Sequence, residues 1–183
     1  MPTIFEYIIA IAWYYLSEKN FSIRKSVNLS LDGNFLPLTH AAGGDGDIII
    51  KYSDFILMLE VTLMDRNAQK RGELEPVIRH ATNLTVKESD KEVLTIFIAD
   101  ELDQNVVNLF RAASIVQLES TQQKGQQTDG VNIFSLSIEE IIHLLERKIE
   151  YQKIVKGIRE HFSIKPSFVK TGWREDVLEK LLN

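Results

Sequence analysis

Apolar side chains recur at helical spacing along residues 3–18, where Ile4, Ile8, Ile11, Ala12 and Tyr15 mark a stripe that predicts a core helix. Ser22 to Leu31 reads as a weaker helix or turn. Gly43, Gly44 and Gly46 then interrupt the chain ahead of two branched apolar runs, Ile48 to Tyr52 and Phe55 to Leu63, separated by Ser53 and Asp54. Two strand-like runs around a two-residue break predict a β-hairpin. A charged loop from Asp65 to Arg71 leads to a helical stretch through about Glu88, a strand over Val93 to Ala99 and a short helix from Asp103 to Ala113. Further strands are expected at Ile115 to Leu118 and Val131 to Leu136. Ser137, with Glu140 three residues on, has the spacing of a capping box. It opens a long amphipathic helix whose stripe runs through Ile138, Ile141, Leu145, Ile149, Val155 and Ile158. Alternating strands and helices predict an α/β fold with a mixed central β-sheet flanked by helices.

A length of 183 residues suits one domain, with 137–183 as its C-terminal helical part. With 44% apolar and 26% charged residues, a disordered or fibrous chain is excluded. No repeat is visible, and Ser120 to Gly130, rich in Gln, Thr and Gly, reads as a surface loop. The absence of cysteine excludes disulfides, thiolate zinc sites and cysteine nucleophiles, and any metal must be held by oxygen or imidazole. The apolar run from Ile4 to Leu16 carries Glu6 and has no Lys or Arg before Lys19, so it lacks the cationic start of a signal peptide. A soluble, cytoplasmic protein is expected.

The net charge of −5 makes unaided grip on nucleic acid poor, because phosphate affinity comes largely from Lys and Arg. Seven basic residues between Arg147 and Lys170 (those two with Lys148, Lys153, Lys156, Arg159 and Lys165) face only Glu150 and Glu160. Tyr151, Phe162, Phe168 and Trp173 are interleaved with them at spacings that suit packing or subunit contact better than base stacking.

If Ser53 and Asp54 form the turn, directly opposed residues of the hairpin sum to 107, which sets Asp47 opposite Glu60. Their Cβ atoms would lie about 4.5–5.5 Å apart on one face, where two carboxylates repel unless a cation sits between them. Thr62 shares that face, while Leu57, Leu59, Val61 and Leu63 point to the other. Hard oxygen donors favour magnesium, or manganese in its place, over zinc. The plainer reading makes Asp47 a charge at the start of a strand and Glu60 a solvated strand residue. Against it, Glu60 is the single charged residue in Phe55 to Leu63, a run apolar enough to be buried on both faces. Asp45 is a reserve ligand should the register slip, and Arg66, Lys70 and Arg71 form a basic cluster placed either to meet phosphates or simply to be solvated.

Asp47, a spacer of twelve, then Glu60-Val61-Thr62 resembles the metal-binding core of the PD-(D/E)XK nuclease superfamily, in the Type IIS restriction endonuclease branch typified by AlwI, MlyI and PleI. The usual lysine is absent, and Thr62 stands in its place as is common in that branch. The stretch Gly72-Glu73-Leu74-Glu75-Pro76-Val77-Ile78-Arg79-His80 is similar to the branch's glutamate-bearing next element. The likeness spans roughly Met1 to Arg147 and is strongest to small catalytic subunits of heterodimeric restriction endonucleases whose large subunit is a nicking endonuclease. It implies a restriction-endonuclease-like core and hydrolysis of one strand of double-stranded DNA after the large subunit has recognised the site. It further implies magnesium held by Asp47, Glu60 and the Val61 carbonyl, Glu73 beside the attacking water or completing the metal shell, His80 as a helper, and Glu6 as an added acid. Glu73 and Glu6 could equally be charges favoured by a helix start, and a lone helical His is often simply packed. A non-catalytic module that binds a partner through its amphipathic terminal helices is the alternative, and magnesium binding discriminates the two.

Overall fold

In a computed structural model of the chain, residues 2–40, 46–169 and 171–183 are described, His40 by its backbone alone. Gly43, Gly44, Asp45 and Lys170, named above, lie outside the described residues. Helix α1 (Pro2–Leu16) buries Ile9, Ala10, Trp13 and Leu16 together with Glu6. Ile4, Ile8 and Tyr15 of the expected stripe are exposed instead. A helix apolar nearly all round carries no periodicity that selects a face. Trp13 settles the choice, inserting its indole into the core, where Nε1 donates to the Tyr52 hydroxyl at 3.1 Å.

The segment expected as a weak helix is one turn, α2 (Ile23–Ser26), followed by a strand, β1 (Leu29–Leu31), which pairs antiparallel with β2 (Pro37–His40). Asp32 makes the turn between them, its Oδ1 accepting from the main-chain N–H groups of Asn34 and Leu36. The hairpin of β3 (Ile48–Lys51) and β4 (Phe55–Thr62) has the expected register, from Ile48 opposite Leu59 to Lys51 opposite Ile56. Leu63 falls just past β4 and is exposed. The expected loop at Asp65 to Arg71 is a helix, α3 (Arg66–Gly72), because Asp65 caps it by accepting from the N–H groups of Asn67 and Ala68 at 2.9 Å. Next come α4 (Leu74–Lys87), β5 (Glu92–Ala99) and α5 (Gln104–Ala112), the last capped by Asp103.

A 3-10 turn at Ala113–Ile115 occupies the start of the strand expected there, leaving only the short ribbon of β6 (Leu118–Glu119) and β7 (Gln127–Thr128). Strand β8 (Asn132–Ser137) ends in the capping box, with Ser137 Oγ accepting from the Glu140 N–H and Glu140 accepting from the Ser137 N–H. The long helix expected beyond it is two, α6 (Ile138–Glu146) and α7 (Tyr151–Ser163), before α8 (Trp173–Leu182). The break is a Schellman-type stop, in which the Ile149 N–H donates to the Leu144 carbonyl and the Lys148 N–H to that of Leu145. Lys148 takes the left-handed position, φ 52°, that glycine usually fills. Without glycine there, the sequence carries no stop signal.

The sheet order is β3-β4-β5-β8, with β3 antiparallel and the other three parallel. One face, bearing Leu57, Leu59, Leu94 and Phe134, packs against α1, α6, α7 and α8; the other, bearing Ile56, Met58, Phe97 and Ile133, packs against α4 and α5. Tyr151, Phe162 and Trp173 are core residues, whereas Phe168 is exposed. No helix among the described residues is long and apolar enough to cross a membrane.

Candidate active site

Asp47 lies one step before the first rung of β3, which places it opposite Glu60 near the end of β4, on the face shared with Met58. Its main chain is held from the sheet edge, where Val27 bridges Ile48 and the Asn28 N–H donates to the Asp47 carbonyl at 2.8 Å. Its side chain reaches across the hairpin, and Oδ2 accepts from the Val61 N–H at 2.8 Å. Glu60 sits in a strand buried along its whole length. From α4, His80 Nδ1 meets Glu60 Oε1 in a hydrogen bond of 2.9 Å. Val77, Ala81 and Leu84 bury the opposing stripe of α4 against the sheet, which directs His80 at β4.

Glu73 stands at the junction of α3 and α4, close enough to Thr62 for the hydroxyl to act on its carboxyl. Glu6 is buried on α1, and its charge acts on Asp47. The structure thus brings all five acidic and imidazole candidates into one electrostatically coupled group, with His80 in direct contact with Glu60.

Crowding and burial set the ionisation. Burial, and next the negative charge of Glu60, pushes the Asp47 carboxyl up to about 8, against the pull of the Val61 N–H. Burial likewise raises Glu60, opposed by the hydrogen bond and charge of His80, and raises Glu73, opposed by the hydroxyl of Thr62. Carboxylates held this way gain from a cation. Among the described residues no three acidic or imidazole side chains form a ready-made metal cage. Two opposed carboxylates are the kind of donor set that fits magnesium, an ion that keeps several waters and takes one or two carboxylates from a protein.

Two features escaped the sequence reading. Gly46 touches the pair closely: a Cβ there would lie 2.7 Å from Glu60 Oε1 and 2.5 Å from Met58 Sδ. Its role is close approach rather than the tight turn that a glycine cluster suggests. Gly46→Ala is expected to displace the Glu60 carboxyl, lowering thermal stability by about 1–3 kcal/mol and any activity of the site with it, since overpacking costs that much; an unchanged melt would show that the segment moves aside freely. Second, Arg66 and Lys70 are engaged by acids of the β5–α5 loop, Glu101 at 3.1 Å and Asp103 at 2.9 Å. Of the expected basic cluster, only Arg71 has no ion pair among the described residues.

The model of the AlwI restriction endonuclease family matches residues 1–144, and the chain belongs to that family. Among solved structures it is similar to the small subunit of the heterodimeric restriction endonuclease R.BspD6I, at a TM-score of 0.68 and 19% identity, over 98% of this chain and 88% of that one. The family match ends within α6, whereas the structural likeness runs on through nearly all of the chain, so the shared fold includes helices beyond the family match. No curated protein matches the chain.

Proposed function

We propose that this chain is the metal-dependent cleavage subunit of a Type IIS-like restriction endonuclease, hydrolysing one strand of double-stranded DNA after a larger recognition or nicking subunit has bound the site. The observation that supports it best is the opposed pair of half-buried Asp47 and buried Glu60, both raised in pKa and coupled to Glu73, His80 and Glu6, in a chain of a restriction endonuclease family. Residues 1–183 act on this reading as one cleavage domain. Asp47, Glu60 and the Val61 carbonyl are the groups that would hold magnesium, which when bound supplies Lewis acidity towards the scissile phosphate and a lowered pKa for water.

The chain's own residues do the rest. The Val61 N–H orients Asp47, and His80 fixes the rotamer of Glu60. Glu73, half-buried and raised in pKa, takes the place of the missing lysine and accepts a proton from the attacking water. The test is plasmid cleavage by the chain with its larger subunit, in magnesium or in chelator. Glu73→Gln is expected to slow cleavage about 100-fold or more and His80→Ala only about 10-fold, since one removes a proton acceptor and the other a support. Equal and trivial effects would return both residues to structural roles. The exposed row of Ile4, Ile8 and Tyr15 on α1 favours the alternative of a purely partner-binding module. A chain that binds its partner but cleaves no better with magnesium than without would be that module.

A further inference from the structure

We infer that Gln69 is a positioning residue that holds Glu73 in place, an inference that rests on the hydrolytic reading of Glu73 just given. Gln69 lies on α3 with its side chain wholly excluded from solvent. Its amide binds three main-chain groups. Nε2 donates to the carbonyls of Met64 at 2.9 Å and Glu101 at 2.6 Å, while Oε1 accepts from the Asp103 N–H at 3.2 Å. Met64 follows the end of β4 and Glu101 follows the end of β5, so one side chain ties together the exits of two adjacent parallel strands.

These bonds belong to a chain of contacts that leads to the site. The Gln69 amide donates to the Met64 carbonyl, and the Met64 N–H donates to Thr62 Oγ1 at 3.1 Å. The Thr62 hydroxyl acts on the Glu73 carboxyl, and the Glu73 main-chain N–H donates to the main-chain carbonyl of Gln69 at 3.0 Å. The link to Glu101 and Asp103 anchors these contacts to the neighbouring strand. Arg66 and Lys70 brace the same loop through those two acids, so α3 is held on several sides. Gly72 belongs to the same packing, since a Cβ there would lie 2.8 Å from Met64 Sδ. An amide buried this deeply is tolerated only when all its hydrogen bonds are made. Here one is made to the segment that follows Thr62 and two to the β5–α5 loop, from a helix whose end carries Glu73.

The experiment uses Gln69→Leu, which removes donors and acceptor, and Gln69→Glu, which keeps the shape and the acceptor but loses the donors. In the isolated chain, the side-chain carboxyl 13C resonance of Glu73 is followed. With the larger subunit, kcat and KM for plasmid cleavage are measured in the wild-type and Glu73→Gln backgrounds. Expected are a shifted Glu73 resonance and a kcat lowered about 10- to 100-fold with KM changed less than about twofold, since misplacing a catalytic group by an ångström has that effect. In the Glu73→Gln background the same substitution should lower kcat by less than about threefold, because the group it positions is gone. An unmoved Glu73 resonance in a folded variant would overturn the inference, as would effects that multiply in full. Loss of the fold in both variants would make Gln69 a folding residue only and overturn it too. Wild-type cleavage by Glu73→Gln would instead remove the hydrolytic reading of Glu73, and the resonance alone would then decide whether Gln69 positions it.

Discussion

Asp47→Asn and Glu60→Gln are each expected to lower DNA cleavage about a thousandfold or more, and Asp47→Asn to make the divalent-free protein more stable at pH 8. The first effect follows because loss of a metal-holding carboxylate forfeits several kcal/mol of charge stabilisation in the transition state. The second follows from proton linkage. Unfolded, Asp47 ionises near the ordinary aspartate value of 3.8, whereas burial in the fold pushes its carboxyl up to about 8. Between those values folded Asp47 holds a proton that the unfolded chain has lost, so this group's contribution to stability is greatest below about pH 4 and declines as pH rises to about 8. Burial of Glu60 and Glu73 adds in the same direction.

Asparagine removes that slope at position 47 and still offers an oxygen to the Val61 N–H, which alanine would leave unpaired. Plasmid cleavage in magnesium and thermal melting at pH 5 and pH 8 without divalent ions would check both effects. Wild-type chain should melt lower at pH 8 than at pH 5, and Asp47→Asn should lose part of that difference. Undiminished cleavage by either variant would sink the site assignment, and a pH-independent wild-type melt would sink the account of its electrostatics.

How much of this was legible in the sequence depended on whether the deciding interaction was local. The hairpin register was legible because a two-residue turn and a period of two fix every opposed pair once one pair is known. Asp47 facing Glu60 is a consequence of that arithmetic. The capping box at Ser137 was legible for the same reason, its two partners being three residues apart. The exposed face of α1 was not, because nearly every position of that helix is apolar and the choice between faces is made by where Trp13 fits against Tyr52, 39 residues away.

Helix α3 was hidden by its charge: three basic residues read as a solvated loop, while Asp65 immediately before them is an ordinary helix cap. The contact of His80 with Glu60, twenty residues apart, could be suspected only from the family-like motif. Gln69 gave no signal at all, since a glutamine among charged residues looks like surface until the carbonyls it serves are seen.

The isolated chain is expected to cut DNA poorly, yet with the larger subunit to convert a single-strand nick into a double-strand break. The net charge of −5 opposes approach to the duplex. The structure adds that several of the arginines and one lysine beside the site are paired with acids within the fold. Arg66 and Lys70 hold Glu101 and Asp103, Arg79 holds Glu75, Arg159 holds Asp54 and Glu92, and Arg174 holds Glu140. Counterion release on DNA binding needs cations free to meet phosphates, so affinity must come from elsewhere. A subunit already seated on the recognition sequence would supply this site at an effective concentration of roughly millimolar, enough to replace intrinsic affinity. On the proposed reading, one hydrolytic site would cut one strand and the partner's nick would provide the other. The measurement is a titration of this chain against a fixed amount of the larger subunit on a plasmid with one recognition site, following nicked and linear forms. Linear product should rise with the chain and saturate as the partner fills, and it should vanish with Asp47→Asn while nicking continues. Efficient site-specific cutting by this chain alone would refute the division of labour, because a chain of net charge −5 would then be reading and holding DNA by itself.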